Sequence, residues 1–233
     1  MRERDDGAAA RRVFRRAFAT PRWTRSSEMI SRSRKSVLAM VALFGLAASA
    51  VLAGDKHKHD AKHEGHEATA EIGKPAPDFE LKGQDGKTYK LSDFKNQIVV
   101  LEWFNKDCPV VVEWRERMAK LQAAYAEKGV VWLAIDSSHM HTDKDNVEAA
   151  RDMKVHYPIL SDFDGKIGHA YGARTTPDMF VINKGTLVYM GAIAERKGDK
   201  NYVAEALDAI LAGKPVQTSS TKPFGCSVKY KKA

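Results

Sequence analysis

Two cysteines and eight histidines carry most of the reactive potential of this 233-residue sequence. Cys108 follows an apolar run, Ile98-Val-Val-Leu-Glu-Trp103, and precedes Pro109, a favoured first residue of a helix. A sulfur at such a junction faces unpaired backbone N–H groups and the positive end of the helix dipole, and both favour the reactive thiolate. Lys106 adds to this effect and Asp107 opposes it, so the residues read as a reactive thiol, with a buried core cysteine as the alternative. Four histidines, His57, His59, His63 and His66, fall within ten residues of a polar stretch. Their imidazoles could loosely hold Zn, Cu or Ni, but a flexible tract imposes no geometry, and a solvated linker is the plainer reading. Of His139, His141, His156 and His169, only His139-x-His141 has a paired spacing, in a loop after a strand. No glycine-rich phosphate loop, Ser-His-Asp set or carboxylate-pair signature stands out.

The charge distribution excludes one class of partner. The formal charge is +8, but residues 1–35 hold ten Arg and one Lys against four acids, which leaves the rest of the chain near neutrality. A near-neutral body offers no broad electrostatic footprint for nucleic acid. The basic segment instead precedes an apolar run from Ser36 to Ala53 with small residues at Ala48-Ser49-Ala50 and Val51-Leu52-Ala53. Residues 1–53 therefore read as a secretory signal peptide, with Met29 as an alternative start and an uncleaved anchor as the weaker reading. The expectation is an exported protein, periplasmic or extracellular, with no stable membrane insertion after cleavage. Residues 54–71 would be a His-rich disordered leader.

Alternating elements must position the thiols. Asp78–Lys82 and Thr88–Leu91, joined by Asp85-Gly86, read as an N-terminal hairpin. Ile98–Trp103 and Val130–Ile135 read as buried strands, Pro109–Lys128 as a helix closed by Gly129, and Asn146–Met153 as a polar helix. A short strand at 157–160, a short helix at 165–171, a second hairpin over 179–190 and a helix over 202–211 complete the order. This predicts an α/β fold with a central mixed sheet flanked by helices. Residues 214–233 read as a polar tail that carries Cys226. Trp103, Trp114 and Trp132 fall on core positions.

Several motifs in this order resemble the thioredoxin superfamily, and in particular an extracytoplasmic redoxin branch related to the alkyl hydroperoxide reductase/thiol-specific antioxidant (AhpC/TSA) family. They are Ile72-Gly-Lys-Pro-Ala-Pro-Asp-Phe79, Leu91-Ser-Asp-Phe94, Asn105-Lys-Asp-Cys-Pro109, Tyr171-Gly-Ala-Arg-Thr-Thr-Pro177 and Phe180-Val-Ile-Asn183. The resemblance spans residues 72–213 and implies a thioredoxin-like fold. It implies that Pro177 is a cis-proline whose strand, with Thr176, docks a thiol or disulfide substrate. It also implies that Glu102 is a buried carboxylate able to take the thiol proton, against a plain ion-paired or exposed strand-end acid.

Two departures shape the functional expectation. Cys108-Pro-Val-Val111 lacks the second cysteine of a Cys-x-x-Cys pair, so Cys226 is the internal candidate to resolve a disulfide or sulfenic acid at Cys108. A mobile Pro/Gly-containing tail could bring it there; a static Cys108–Cys226 bridge is the structural alternative. Copper chaperones of this superfamily use Cys-x-x-x-Cys, and position 112 is Val. Peroxiredoxins keep a Thr near the peroxidatic thiol and an Arg near the cis-proline position, where this chain has Pro109 and Pro177; Arg174 is the nearest substitute. The expected function is a thiol-disulfide oxidoreductase with Cys108 as nucleophile, needing no bound cofactor. It would use an external thiol/disulfide electron donor and a disulfide or peroxide substrate. The alternatives are a two-cysteine thiol peroxidase, and a non-catalytic metal- or partner-binding protein with a static bridge.

Overall fold

The computed structural model describes residues 70–232. The basic segment, Met29, the apolar run and His57, His59, His63 and His66 lie outside the described residues. The strands are β1 (Glu80–Gly83), β2 (Thr88–Lys90), β3 (Ile98–Trp103), β4 (Val131–Asp136), β5 (Ile159–Ser161), β6 (Thr175–Thr176), β7 (Met179–Asn183), β8 (Thr186–Gly191) and β9 (Cys226–Ser227). The helices are α1 (Pro109–Ala126), α2 (Asp143–Asp152), α3 (Lys166–Tyr171) and α4 (Tyr202–Leu211), with a 3-10 turn at Leu91–Phe94.

Seven strands form one sheet in the order β2-β1-β5-β4-β3-β7-β8. β3, β4 and β5 are parallel, while β7 pairs antiparallel with β3 and β8, and the β1–β2 hairpin joins antiparallel through β5. The expected mixed α/β sheet with an N-terminal hairpin is therefore present. β3 and β4 are continuous apolar runs because both of their faces are covered. Val100, Trp132, Ala134, Met179 and Val181 pack with α1, α2 and α4 on one face. Val99, Leu101, Trp103, Leu133, Ile135, Phe180 and Ile182 pack with Tyr171 of α3 and Leu91 of the 3-10 turn on the other.

Three differences from the sequence reading have local causes. α2 starts at Asp143, not Asn146, because Thr142 and Asp145 form a reciprocal capping box. The short strand ends on Ser161, whose hydroxyl donates to Asp143 Oδ1 at 2.8 Å. The tail is not featureless: β9 pairs with β6, Met190 bridges to Ser220, and Thr221 N–H donates to the Met190 carbonyl at 3.1 Å.

The C-terminal end of β3 is fixed from the side opposite α1. Trp103 is fully buried and its ring meets Tyr171 and Phe180 at centroid distances of 5.3 and 5.0 Å. Its Nε1 donates to Ser137 Oγ, which donates to the buried Asp162 carboxylate at 2.6 Å. Trp103→Ala should lower the unfolding free energy by about 3–5 kcal/mol, read from urea denaturation, because it opens a large cavity and strands Ser137.

Candidate active site

Cys108 occupies the N-cap of α1, with Pro109 as the first helical residue. The preceding turn is fastened by its own side chains: Asn105 Oδ1 accepts from Asp107 N–H at 2.7 Å, and Asn105 Nδ2 donates to Ser138 Oγ at 2.9 Å. The Cys108 N–H donates to the Asn105 carbonyl at 3.1 Å. The thiol is thereby placed at the helix start, 2% exposed, with its Sγ 3.0 Å from the Thr176 carbonyl oxygen.

The second thiol arrives on the tail. Thr176 and Cys226 are register partners of the antiparallel β6–β9 pair, and the two Sγ atoms lie 2.8 Å apart, both cysteines being free thiols. A disulfide bond measures about 2.05 Å, so closing it requires a sulfur movement of under about 1 Å. Further contacts hold β9 in place. Val228 N–H donates to the Arg174 carbonyl, His139 N–H donates to the Lys229 carbonyl, and Tyr230 OH donates to the Ala173 carbonyl at 2.8 Å. Phe224 meets Trp114 edge-on at 5.4 Å. Gly225, at φ +149°, lies so close that a Cβ would run into the Thr176 carbonyl oxygen. The tail is thus docked across the Thr176–Pro177 edge rather than held away from the sulfurs, and the Thr176–Pro177 peptide is cis.

The environment separates the two thiols. Burial pushes the Cys108 thiol up. Hydrogen bonds from the Cys226 side chain, the Thr176 side chain and the N–H groups of Val111 and Cys226 outweigh it, so the net direction is down. The Thr176 hydroxyl is buried and has no hydrogen-bond partner, and its contribution to Cys108 is in the direction that favours the thiolate. Cys226, partly exposed, moves up, first through its hydrogen bond with Cys108 and then through burial. Cys108 is the sulfur more ready to ionise.

Glu102 lies on the α1 face of β3, 1% exposed, where Trp132 Nε1 and Tyr157 OH donate to its Oε2 at 3.0 and 2.8 Å. It is therefore a hydrogen-bonded core carboxyl, not an ion-paired one, and burial pushes it up to about 7 despite those donors. A void of about 10 Å³, room for about one water molecule, adjoins it and is lined also by Phe104, Val111, Arg115 and Lys154. Arg174 is among the residues that line two surface cavities, of about 470 and 630 Å³, whose linings include neither cysteine.

Sequence reasoning left one group unassigned. His141 is buried beside the Cys108 turn, its Nδ1 2.7 Å from Asp136 Oδ2 and its Nε2 2.9 Å from Asp107 Oδ2. The spacing to Asp107 is too long for a motif, so only the sheet register brings the two together. Among the described residues no group of three or more His, Cys, Asp or Glu side chains is arranged to hold a metal ion.

Comparison with known proteins agrees with the geometry. Residues 72–190 match the sequence profile of the AhpC/TSA family. Thiol-disulfide oxidoreductase ResA of Bacillus cereus (strain ATCC 10987 / NRS 248) is 33% identical over 134 residues, covering 58% of this chain and 74% of that protein. Peroxiredoxin Bcp of Bacillus subtilis (strain 168) is 56% identical over 39 residues, 17% of this chain and 25% of that protein. Among solved structures, the hypothetical protein SMc02350 from Sinorhizobium meliloti 1021 superimposes with a TM-score of 0.64 at 29% identity, covering 70% of this chain and 96% of that one. Sheet order, cis-proline edge and family match together place the chain in the AhpC/TSA family of thioredoxin-fold, thiol-dependent oxidoreductases.

Proposed function

We propose that the chain is an exported thiol-disulfide oxidoreductase in which Cys108 is the nucleophile and Cys226 the resolving thiol. The observation that supports this best is the 2.8 Å approach of the two sulfurs across the β6–β9 pair. The Cys108 thiolate attacks one sulfur of a substrate disulfide, forming a mixed disulfide and releasing the first substrate thiolate. Cys226, as thiolate, then attacks the Cys108 sulfur, releasing the second substrate thiolate and leaving a Cys108–Cys226 disulfide. Two electrons pass to the substrate, and an external thiol donor restores both cysteines. The two thiols suffice for this chemistry without a bound cofactor. Glu102, near neutrality in its titration, is the proposed acceptor of the thiol proton, and Thr176 and Pro177 form the proposed substrate edge.

Export rests on the basic segment and the apolar run before Ala53. Among the described residues no helix is long and apolar enough to cross a membrane. Metal capture at His57, His59, His63 and His66 is a separate proposal; removing residues 55–71 should abolish zinc binding measured by equilibrium dialysis.

One observation favours a second reading, a two-cysteine thiol peroxidase. An extended partner must displace β9 before it reaches the 2% exposed Cys108, whereas a hydroperoxide, being far smaller, requires a smaller opening. In that reaction the Cys108 thiolate attacks the peroxide, yielding a sulfenic acid and an alcohol or water. Cys226 then condenses with the sulfenic acid, releasing water. The two readings separate by oxidant. Reduced chain treated in parallel with a cystine-containing peptide and with hydrogen peroxide should close the Cys108–Cys226 disulfide faster with the peptide, followed by peptide mass spectrometry. Faster closure with peroxide would reverse the order of the readings. Cys108→Ser should abolish closure by either oxidant, and Cys226→Ser should accumulate a mixed disulfide with the peptide. Gly225→Ala, by lifting the tail off Thr176, should slow the resolving step about tenfold or more, so that the mixed disulfide between Cys108 and the peptide accumulates.

Glu102 has a signature of its own. Its folded-state pKa lies above the ordinary carboxyl value, so the folded protein binds the extra proton, and this contribution to stability is full below about pH 4.5. It fades as pH rises and is gone above about pH 7, an unfavourable shift of about 3 kcal/mol. Asp178 and Asp162, pushed up by burial to about 7 and about 6, add slope in the same direction. Glu102→Gln should flatten the pH dependence of the urea midpoint between about pH 5 and 7 by the Glu102 share alone.

A further inference from the structure

We propose that His141 is a positioning residue for Cys108: its ring, clasped between Asp136 and Asp107, locks the turn before the thiol and cancels the negative charge beside the sulfur. The inference rests on Cys108 being the attacking thiol.

The ring's environment defines its charge state. A carboxylate oxygen accepts hydrogen bonds, and each ring nitrogen of His141 faces one, so both nitrogens donate and the ring is an imidazolium. The side chain is 4% exposed and that of Asp136 is 0% exposed, which keeps water from replacing Asp136, while the Asp107 side chain is 60% exposed. From β4, the Asp136 carboxylate also accepts the Ser138 N–H through Oδ1 at 2.9 Å, and Ser138 Oγ accepts from Asn105. From the other side, Asp107 takes its place through the Asn105 side chain, and Cys108 through the Asn105 backbone. Asp107, Asn105, Ser138, Asp136 and His141 thus form a closed circuit of hydrogen bonds, and Cys108 hangs from one member of it.

The charges around the ring give it a second effect. Asp107, Asp136 and, from the start of α2, Asp145 are the acids that face it. The other cation nearby is Lys106, 3.0 Å from Asp107 and 3.7 Å from Asp145. Both contacts to Asp107 share its carboxylate, whose side chain is 60% exposed, and water screens each of them there. They differ on the cation side: the His141 side chain is 4% exposed and that of Lys106 26%, and Lys106 is the larger of the two in lowering the Asp107 pKa. Without the imidazolium, Asp107 would stand one residue from Cys108 with Lys106 as its remaining partner, the buried Asp136 would lose its own, and added negative charge near a thiol disfavours the thiolate. The direction of titration agrees: the hydrogen bond with Asp136 raises the His141 pKa against the effect of burial. The cation is therefore held to higher pH than on an isolated imidazole and is lost as pH rises past that raised value.

The test measures Cys108 ionisation directly. Reduced full chain is alkylated with iodoacetamide over about pH 5 to 10, and initial rates at Cys108 and Cys226 are resolved by peptide mass spectrometry. In the parent protein Cys108 should titrate below an ordinary thiol. His141→Asn should raise its apparent pKa by about one unit and slow its alkylation about tenfold at neutral pH. The double variant H141N/D107N, which removes both charges, should recover most of that rate; a purely structural role for His141 would leave it as slow as H141N. Should H141N not fold, Asp107→Asn alone still reports, because Cys108 should then react at least as fast as in the parent. A parent-like profile for H141N, a double variant no faster than H141N, or slower reaction in D107N would each overturn the inference. If Cys108 of the parent titrates as an ordinary thiol, the nucleophile assignment itself fails, and the His141 role falls with it.

Discussion

The candidate active site depends on a two-residue β-bridge. Thr175–Thr176 would be an exposed strand edge with unpaired N–H and C=O groups beside the cis-proline, the kind of edge that recruits another chain. Cys226–Ser227 covers it, and because Thr176 and Cys226 are register partners, that pairing alone decides which tail residue meets Cys108. A slip of one residue would turn Cys226 to the other face. The flanking attachments, Phe224 on Trp114, Gly225 against Thr176 and Tyr230 on Ala173, all serve to fix that register.

Buried polar networks gather at the C-terminal ends of β3 and β4, the same end at which Cys108 begins α1. Glu102 with Trp132 and Tyr157 lies on one sheet face; Trp103 with Ser137 and Asp162 lies on the other. Asp136 with His141 completes the rim. Each buried donor or acceptor named here is satisfied by a specific partner, which makes this end of the sheet costly to deform. Cys108, the proposed nucleophile, therefore sits on a rigid rim, and Cys226, its proposed resolving partner, on a separately docked strap.

The sheet was legible because its signal is local. Ile98–Trp103 reads as a buried strand from six residues, and Pro109 marks the helix start without reference to anything distant. The cis geometry at Pro177 and the burial of Glu102 followed from the motifs around them. What escaped reading is non-local. β9 has no strand pattern of its own, since Pro223 and Gly225 punctuate it and its pairing comes from an edge some 50 residues earlier. His141 reaches Asp107 across 34 residues through the parallel pairing of β3 and β4. The early start of α2 was available from Thr142 and Asp145, whose spacing is that of a capping box with a shorter acid.

The docked tail also ties redox state to folding. Joining Cys108 to Cys226 would close a covalent ring across a sequence separation of 118 residues, about half the chain. Closing a ring of that length removes denatured-state entropy equivalent to about 5 kcal/mol in the chain-entropy description. Thermodynamic reciprocity then requires the folded domain to favour the oxidised pair over the unfolded chain by the same amount. An electron donor must supply its driving force against that preference, whereas any partner that peels the tail away weakens the preference and makes the pair easier to reduce.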